Sequence, residues 1–137
     1  MILRLVVVDA SALVEYLLRT WRAGAIAGVI ESAEADLHVP ALCDVEFASA
    51  LRRALRTSVL STDRAAEALR DYRDLPITRH GHLGLLSKIL ALRENFSAYD
   101  AAYVVLAHGL GASLLTADDR LARAVQTHTE LETLTTR

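Results

Sequence analysis

A run of strand-forming residues, Leu3-Arg4-Leu5-Val6-Val7-Val8, stops abruptly on Asp9. An apolar run of this length, leading into a helical pattern, predicts a strand buried on both faces of a parallel sheet. Leu13, Val14, Leu17 and Leu18 then recur at helical spacing and predict a first helix ending near Arg19 or Thr20. Ala23 to Ala33 predicts a second helix. Leu37, His38 and Val39 read as a short strand closed by Pro40, which is placed to open the next helix where no amide hydrogen is needed. That helix runs from Ala41 to about Arg56.

Ser61, Thr62 and Asp63 offer N-caps for a helix to about Asp74, with Ala65, Leu69 and Tyr72 on its apolar side. Leu75 to Thr78 predicts a strand, and Pro76 within it points to a sheet edge or a strand start. Leu83 to Leu92 is helical in pattern, Arg93 to Phe96 forms a turn, and Ser97 opens a helix through His108. Gly109 and Gly111 stand where a helix C-cap is wanted, and Ser113 to Thr116 is the next strand. Asp118, Asp119 and Arg120 begin a last helix, and Leu131 to Thr135 predicts a final edge strand. This alternation predicts one parallel, three-layer α/β domain spanning residues 1–137.

Composition changes the picture in three ways. A hydrophobic share of 53% is high for a monomer of this size and hints at a surface that meets a partner. A formal net charge of -2 gives no global basic field, so any claim on nucleic acid must rest on local clustering. The lone Cys43 excludes an intramolecular disulfide and a cysteine zinc cluster, and with no secretory or transmembrane run the chain reads as cytoplasmic, with no membrane partner. The five histidines do not assemble in the sequence and read as structural or surface residues. Trp21, Tyr16 and Phe47 read as core or dimer surface.

The candidate chemistry is carboxylate chemistry. Leu114-Leu115-Thr116-Ala117-Asp118 repeats the strand, turn and acid seen at Asp9, and ligands of open α/β sheets bind at this carboxyl edge. Asp100, near the start of the Ser97 helix, and Glu46, on the helix after Pro40, are the further candidates. Clustered carboxylates repel one another, a difficulty that a divalent cation removes. A ligand set of oxygens alone suits Mg²⁺ or Mn²⁺ and argues against zinc. Each acid also has a plainer reading: Asp9 or Ser11 as a helix cap, Asp100 as the acid of a capping box with Ser97, and Asp118 and Asp119 as charges favoured at a helix N-terminus.

Four segments in order carry a resemblance: Val7-Val8-Asp9-Ala10-Ser11; Val39-Pro40 with Val45-Glu46-Phe47 through Arg53; Leu92-Arg93 through Ser97-Ala98-Tyr99-Asp100-Ala101-Ala102-Tyr103; and Leu115-Thr116-Ala117-Asp118-Asp119-Arg120 through Ala124. Together they resemble PIN-domain proteins of the VapC toxin type. The resemblance implies a PIN-like domain with a central parallel sheet of four to five strands. It implies a Mg²⁺-dependent endoribonuclease, Mn²⁺ being able to substitute, that is a homodimer and is neutralised by a VapB-like antitoxin. It assigns Asp9, Glu46, Asp100 and Asp118 as the catalytic, metal-binding acids, with Ser11, Thr116 and Asp119 in support. Among the arginines, Arg93 and Arg120 lie close to acids in sequence and are the candidates for RNA phosphate.

Two rivals come from other function classes. A phospho-receiver module also places acids at strand ends, but it pairs acids at the first strand and carries a late lysine, whereas Asp9 stands alone and the sole lysine is Lys88. A catalytically inactive PIN-like domain that only binds partners would not need four acids. No Gly-rich dinucleotide fingerprint or P-loop occurs.

Overall fold

The computed structural model describes residues 3–135. Its elements are β1 (Arg4–Val8), α1 (Ala10–Leu17), α2 (Ala23–Ile30), β2 (Ala35–Pro40), α3 (Leu42–Arg56), α4 (Thr62–Asp74), β3 (Ile77–His80), a 3₁₀ turn (Leu83–Leu85) leading into α5 (Leu86–Ala91), α6 (Ala98–Leu110), β4 (Ser113–Thr116), α7 (Asp119–His128) and β5 (Thr133–Thr135). The five strands form one parallel sheet in the order β3-β2-β1-β4-β5.

Parallel strands need crossovers, and right-handed crossovers fix the layers. The path from β1 through β2 to β3 steps one way across the sheet, and β4 to β5 steps the other way. Helices α1 to α4 therefore cover one face, and α5 to α7 the other. The sheet between them is dry: Val6, Val7, Val8, Val39 and Leu114 have no exposed surface, and neither do Phe47 from α3 and Leu121 from α7. The direction of winding reverses between β1 and β4. That reversal opens a crevice beyond their carboxyl ends, where the main-chain amide of Asp9 still reaches the Leu115 carbonyl at 2.9 Å.

Several boundaries differ from the sequence reading. The second helix stops at Ile30 rather than Ala33, because β2 begins early: Ala35 and Asp36 pair with Arg4 and Leu5, so the ladder recruits residues with little strand preference of their own. Pro40 ends β2 opposite His80 instead of opening α3, and Ala41 takes the N-cap position. The strand predicted at Leu75 to Thr78 lies at Ile77–His80, since Leu75 caps α4 and Pro76 has no amide for the ladder. It is an edge strand, as is β5 on the opposite side. α6 continues two residues past His108, to Leu110, and ends on Gly111 at φ +64°, a conformation that suits glycine.

The shifted β3 also assembles histidines that the sequence left scattered. His38 Nδ1 and His80 Nε2 lie 2.8 Å apart, and Asp36 Oδ2 is 3.1 Å from His38 Nε2 without hydrogen-bond alignment. The pairing of β2 with β3 is responsible, because it places position 80 two residues beyond Thr78, the partner of His38, and so on the same face of the sheet. Burial and then the neighbouring His38 push the His80 pKa down. Phe47 lies in the core, whereas Trp21 is on the surface, 82% exposed.

Candidate functional site

The crevice at the winding reversal is a cleft of about 380 Å³, and Asp9, Glu46, Asp100 and Asp118 all line it. Four elements deliver them: the end of β1, the second turn of α3, the first turn of α6 and the end of β4. Ser11, Glu15, Ser49 and Arg53 complete its polar lining. A larger cavity, of about 740 Å³, lies at the opposite, amino-terminal edge of β4 and holds none of these acids.

Asp9 is the most constrained of the four. It occupies the N-cap position of α1, yet its side chain makes no cap hydrogen bond. Its carboxylate, 7% exposed as a residue, instead accepts from Ser11 Oγ at 2.5 Å and from Thr116 Oγ1 at 2.8 Å, both on Oδ2. Each hydroxyl has one proton to give, and both are spent on this one oxygen. The same hydroxyls accept in turn, Ser11 Oγ from the Ala117 amide at 3.1 Å and Thr116 Oγ1 from the Asp118 amide at 3.0 Å. Oδ1 of Asp9 takes no hydrogen bond among the described residues. Burial pushes the Asp9 pKa up; the two hydroxyls oppose this, and the charges of Asp100 and Asp118 reinforce it.

Glu46 accepts from the Tyr103 hydroxyl at 2.6 Å. Its pKa is also raised, first by burial, with Tyr103 acting against this and the charges of Asp9 and Asp100 adding to it. Its helix neighbour Asp44 faces elsewhere, held by Arg79 Nε at 2.8 Å and by the Tyr72 hydroxyl at 2.6 Å. Only half of a capping box forms around Asp100: its amide donates to Ser97 Oγ at 3.1 Å, but its carboxylate accepts from Arg120 Nη2 at 3.0 Å. Asp118 caps α7 through Oδ1, which accepts from the amides of Arg120 and Leu121, while Oδ2 lies 3.3 Å from Arg120 Nη2.

The remaining candidates separate. Arg120 joins Asp100 to Asp118. Arg93 is turned back to the Leu90 carbonyl at 3.3 Å and does not line the cleft. Asp119 faces Arg22 at 3.3 Å, and Arg22 also donates to the Ala117 carbonyl, so this pair ties the start of α2 to the turn after β4. Tyr103 and Glu15 escaped the sequence reading, which weighs Arg53 with its neighbours Arg52 and Arg56 as a substrate cation but prefers Arg93 and Arg120. Tyr103 was open to detection, since it follows Asp100 by one helical turn and so shares its face.

A cation's fit rests on the donor chemistry. The four acids offer only oxygen, Asp9 keeps one oxygen without a partner among the described residues, and a guanidinium already bridges Asp100 and Asp118. Among the described residues, no three acidic, histidine or cysteine groups are drawn into the geometry of a cation shell. Ser11, Thr116, Tyr103 and Arg120 hold the carboxylates on partners of the protein's own.

Residues 6–126 match the PIN domain. The chain belongs to the PIN-domain family. The PIN-domain chain is 42% identical over 118 residues to "Ribonuclease VapC9" of Mycobacterium tuberculosis, covering 86% of this chain and 89% of that protein. It is 43% identical to "Ribonuclease VapC3" of the same organism, covering 87% and 86%. Identity to "Ribonuclease VapC12" is 34%, over 93% of this chain and 98% of the relative. Among solved structures, PAE2754 from Pyrobaculum aerophilum superposes with a TM-score of 0.65 at 22% identity, over 95% of this chain and 83% of the other, a likeness of fold. No described helix of this PIN domain is long and apolar enough to cross a membrane.

Proposed function

We propose that this PIN-domain chain is a Mg²⁺- or Mn²⁺-dependent endoribonuclease, the toxin of a type II, VapBC-like toxin-antitoxin pair, acting in the cytoplasm. The observation that carries the reading is the convergence of Asp9, Glu46, Asp100 and Asp118 on one cleft at the β1/β4 reversal. Similarity to VapC ribonucleases over most of the chain supports it. Asp9, Glu46, Asp100 and Asp118 would hold the ion. When bound, the ion supplies Lewis acidity towards the phosphoryl oxygen and a water acidified towards hydroxide.

The chain's own groups prepare that chemistry. Ser11 and Thr116 fix the rotamer of Asp9 through Oδ2 and leave Oδ1 without a hydrogen bond among the described residues. Tyr103 orients Glu46 through its hydroxyl, and burial raises the pKa of that carboxyl. Arg120 neutralises Asp100 and Asp118 and, with a divalent ion held by those acids, would be free to meet RNA phosphate; Arg93, exposed before α6 and outside the cleft lining, would meet a phosphate further along the strand. Exposed Leu83, Leu86 and Leu90 fall on successive turns and supply an apolar stripe for a homodimer, while the VapB-like antitoxin is the expected neutralising partner.

Purified protein incubated with RNA should cleave it in Mg²⁺ or Mn²⁺ and stop in chelator. Asp100→Asn should abolish cleavage without unfolding the chain. Equal cleavage in chelator overturns the mechanism; phosphate uptake from a small donor in place of cleavage would mark a receiver, and RNA binding without cleavage an inactive domain.

A further inference from the structure

We propose that Arg53 grips the RNA backbone at a phosphate neighbouring the scissile one, a proposal that rests on the ribonuclease reading above. Helix α3 turns Glu46, Ser49, Ala50 and Arg53 towards the cleft, the spacing of a single helical face. Arg53 therefore stands two turns beyond Glu46, about 10 Å along the axis. Among the described residues lining the cleft it is the sole cation, where Asp9, Glu15, Glu46, Asp100 and Asp118 are all acids. A polyanion approaching such a mouth is repelled unless a positive group receives it.

Arg53 is also uncommitted. Among the described residues it forms no ion pair, and its one side-chain hydrogen bond is from Nη1 to Ser49 Oγ at 3.3 Å. A guanidinium has five N–H donors, so most of the fork remains available for bidentate contact with phosphate. Of the other arginines near the site, Arg120 is paired with Asp100 and Asp118 and Arg22 with Asp119 and the Ala117 carbonyl, while Arg93 lies outside the cleft lining. Arg52 and Arg56 lie exposed on the same helix but do not line the cleft, so they carry the same charge without the same position.

The test is a fluorescence-anisotropy titration of a labelled, mixed-sequence single-stranded RNA, using the full chain with Asp9→Asn so that the RNA stays intact. Adding Arg53→Gln should weaken binding about tenfold and flatten the slope of log affinity against log salt by about 0.7, the loss of one phosphate contact. Arg56→Gln should change affinity by less than about twofold. Arg53→Lys should keep the salt slope but recover only part of the affinity, because a point charge cannot make the forked contact. Equal losses for Arg53→Gln and Arg56→Gln, or no loss for Arg53→Gln, overturn the proposal and leave the ribonuclease reading standing. A lowered melting temperature with an unchanged salt slope assigns Arg53 to stability and also overturns it. A parent protein that binds no RNA removes both.

Discussion

The turns after β1 and β4 begin alike, each a buried strand, an aspartate and a helix, yet their acids end differently. Asp118 behaves as the local sequence suggests: it caps α7 with one oxygen and stays partly open to solvent. Asp9 has the same chance to cap α1 and does not take it, because two hydroxyls claim its carboxylate first, one from its own turn and one from the other. A strand-end acid is thus assigned by what faces it across the crevice. The exchange runs both ways, since Thr116 donates to Asp9 while accepting from the amide of Asp118.

The largest break in this pairing is Asp9→Asn. Loss of an acid that would hold the ion should lower Mg²⁺-dependent RNA cleavage by more than about 100-fold, since even supporting groups around a metal are worth 10 to 100-fold. Without metal the same variant should melt higher than the parent at neutral pH. The folded pKa of Asp9 is raised above its ordinary value, so its carboxyl favours folding at low pH and loses that contribution as pH rises through the folded pKa. Thermal melts across pH in chelator should show the parent's deficit against the variant growing from acid to neutral pH; a deficit independent of pH would remove burial of the charge as its cause.

Thr116→Val keeps the shape and deletes the shared hydroxyl. Mg²⁺ affinity, read by calorimetry, should fall about 10 to 100-fold. The Asp118 amide also loses its acceptor, at a stability cost of about 1 to 3 kcal/mol if no water replaces it. A variant with parental metal affinity would show that Ser11 alone orients Asp9. The smallest effect should separate cap from charge at Asp118. Asp118→Ser retains a capping oxygen and should stay near parental stability, whereas Asp118→Ala should lose about 1 kcal/mol in denaturant unfolding. Both should lose cleavage activity.

Much of this was legible in the residues. The apolar runs ending at Val8 and Thr116 announced strands buried on both faces, and the acid after each announced the carboxyl edge. β2 and β3 were less legible, because Ala35-Asp36 and Arg79-His80 become strand only when a neighbour's main chain is offered to them. At the site, the four acids could be read from their order along the chain, whereas Tyr103, Glu15 and Arg53 could not be assigned. Tyr103 looks like an ordinary core aromatic until α3 brings Glu46 to its hydroxyl, and Arg53 looks like either of its neighbours Arg52 and Arg56 until one helix face is known to border the cleft.

The hydroxyl web around Asp9 joins residues more than a hundred positions apart, Ser11 to Ala117 and Asp9 to Thr116. During synthesis on the ribosome, then, the amino-terminal half emerges with its acids but without the partners that set them. The crevice is therefore completed only when the chain is nearly finished, and until then Asp9 lacks Thr116 and Ser11 lacks the Ala117 amide.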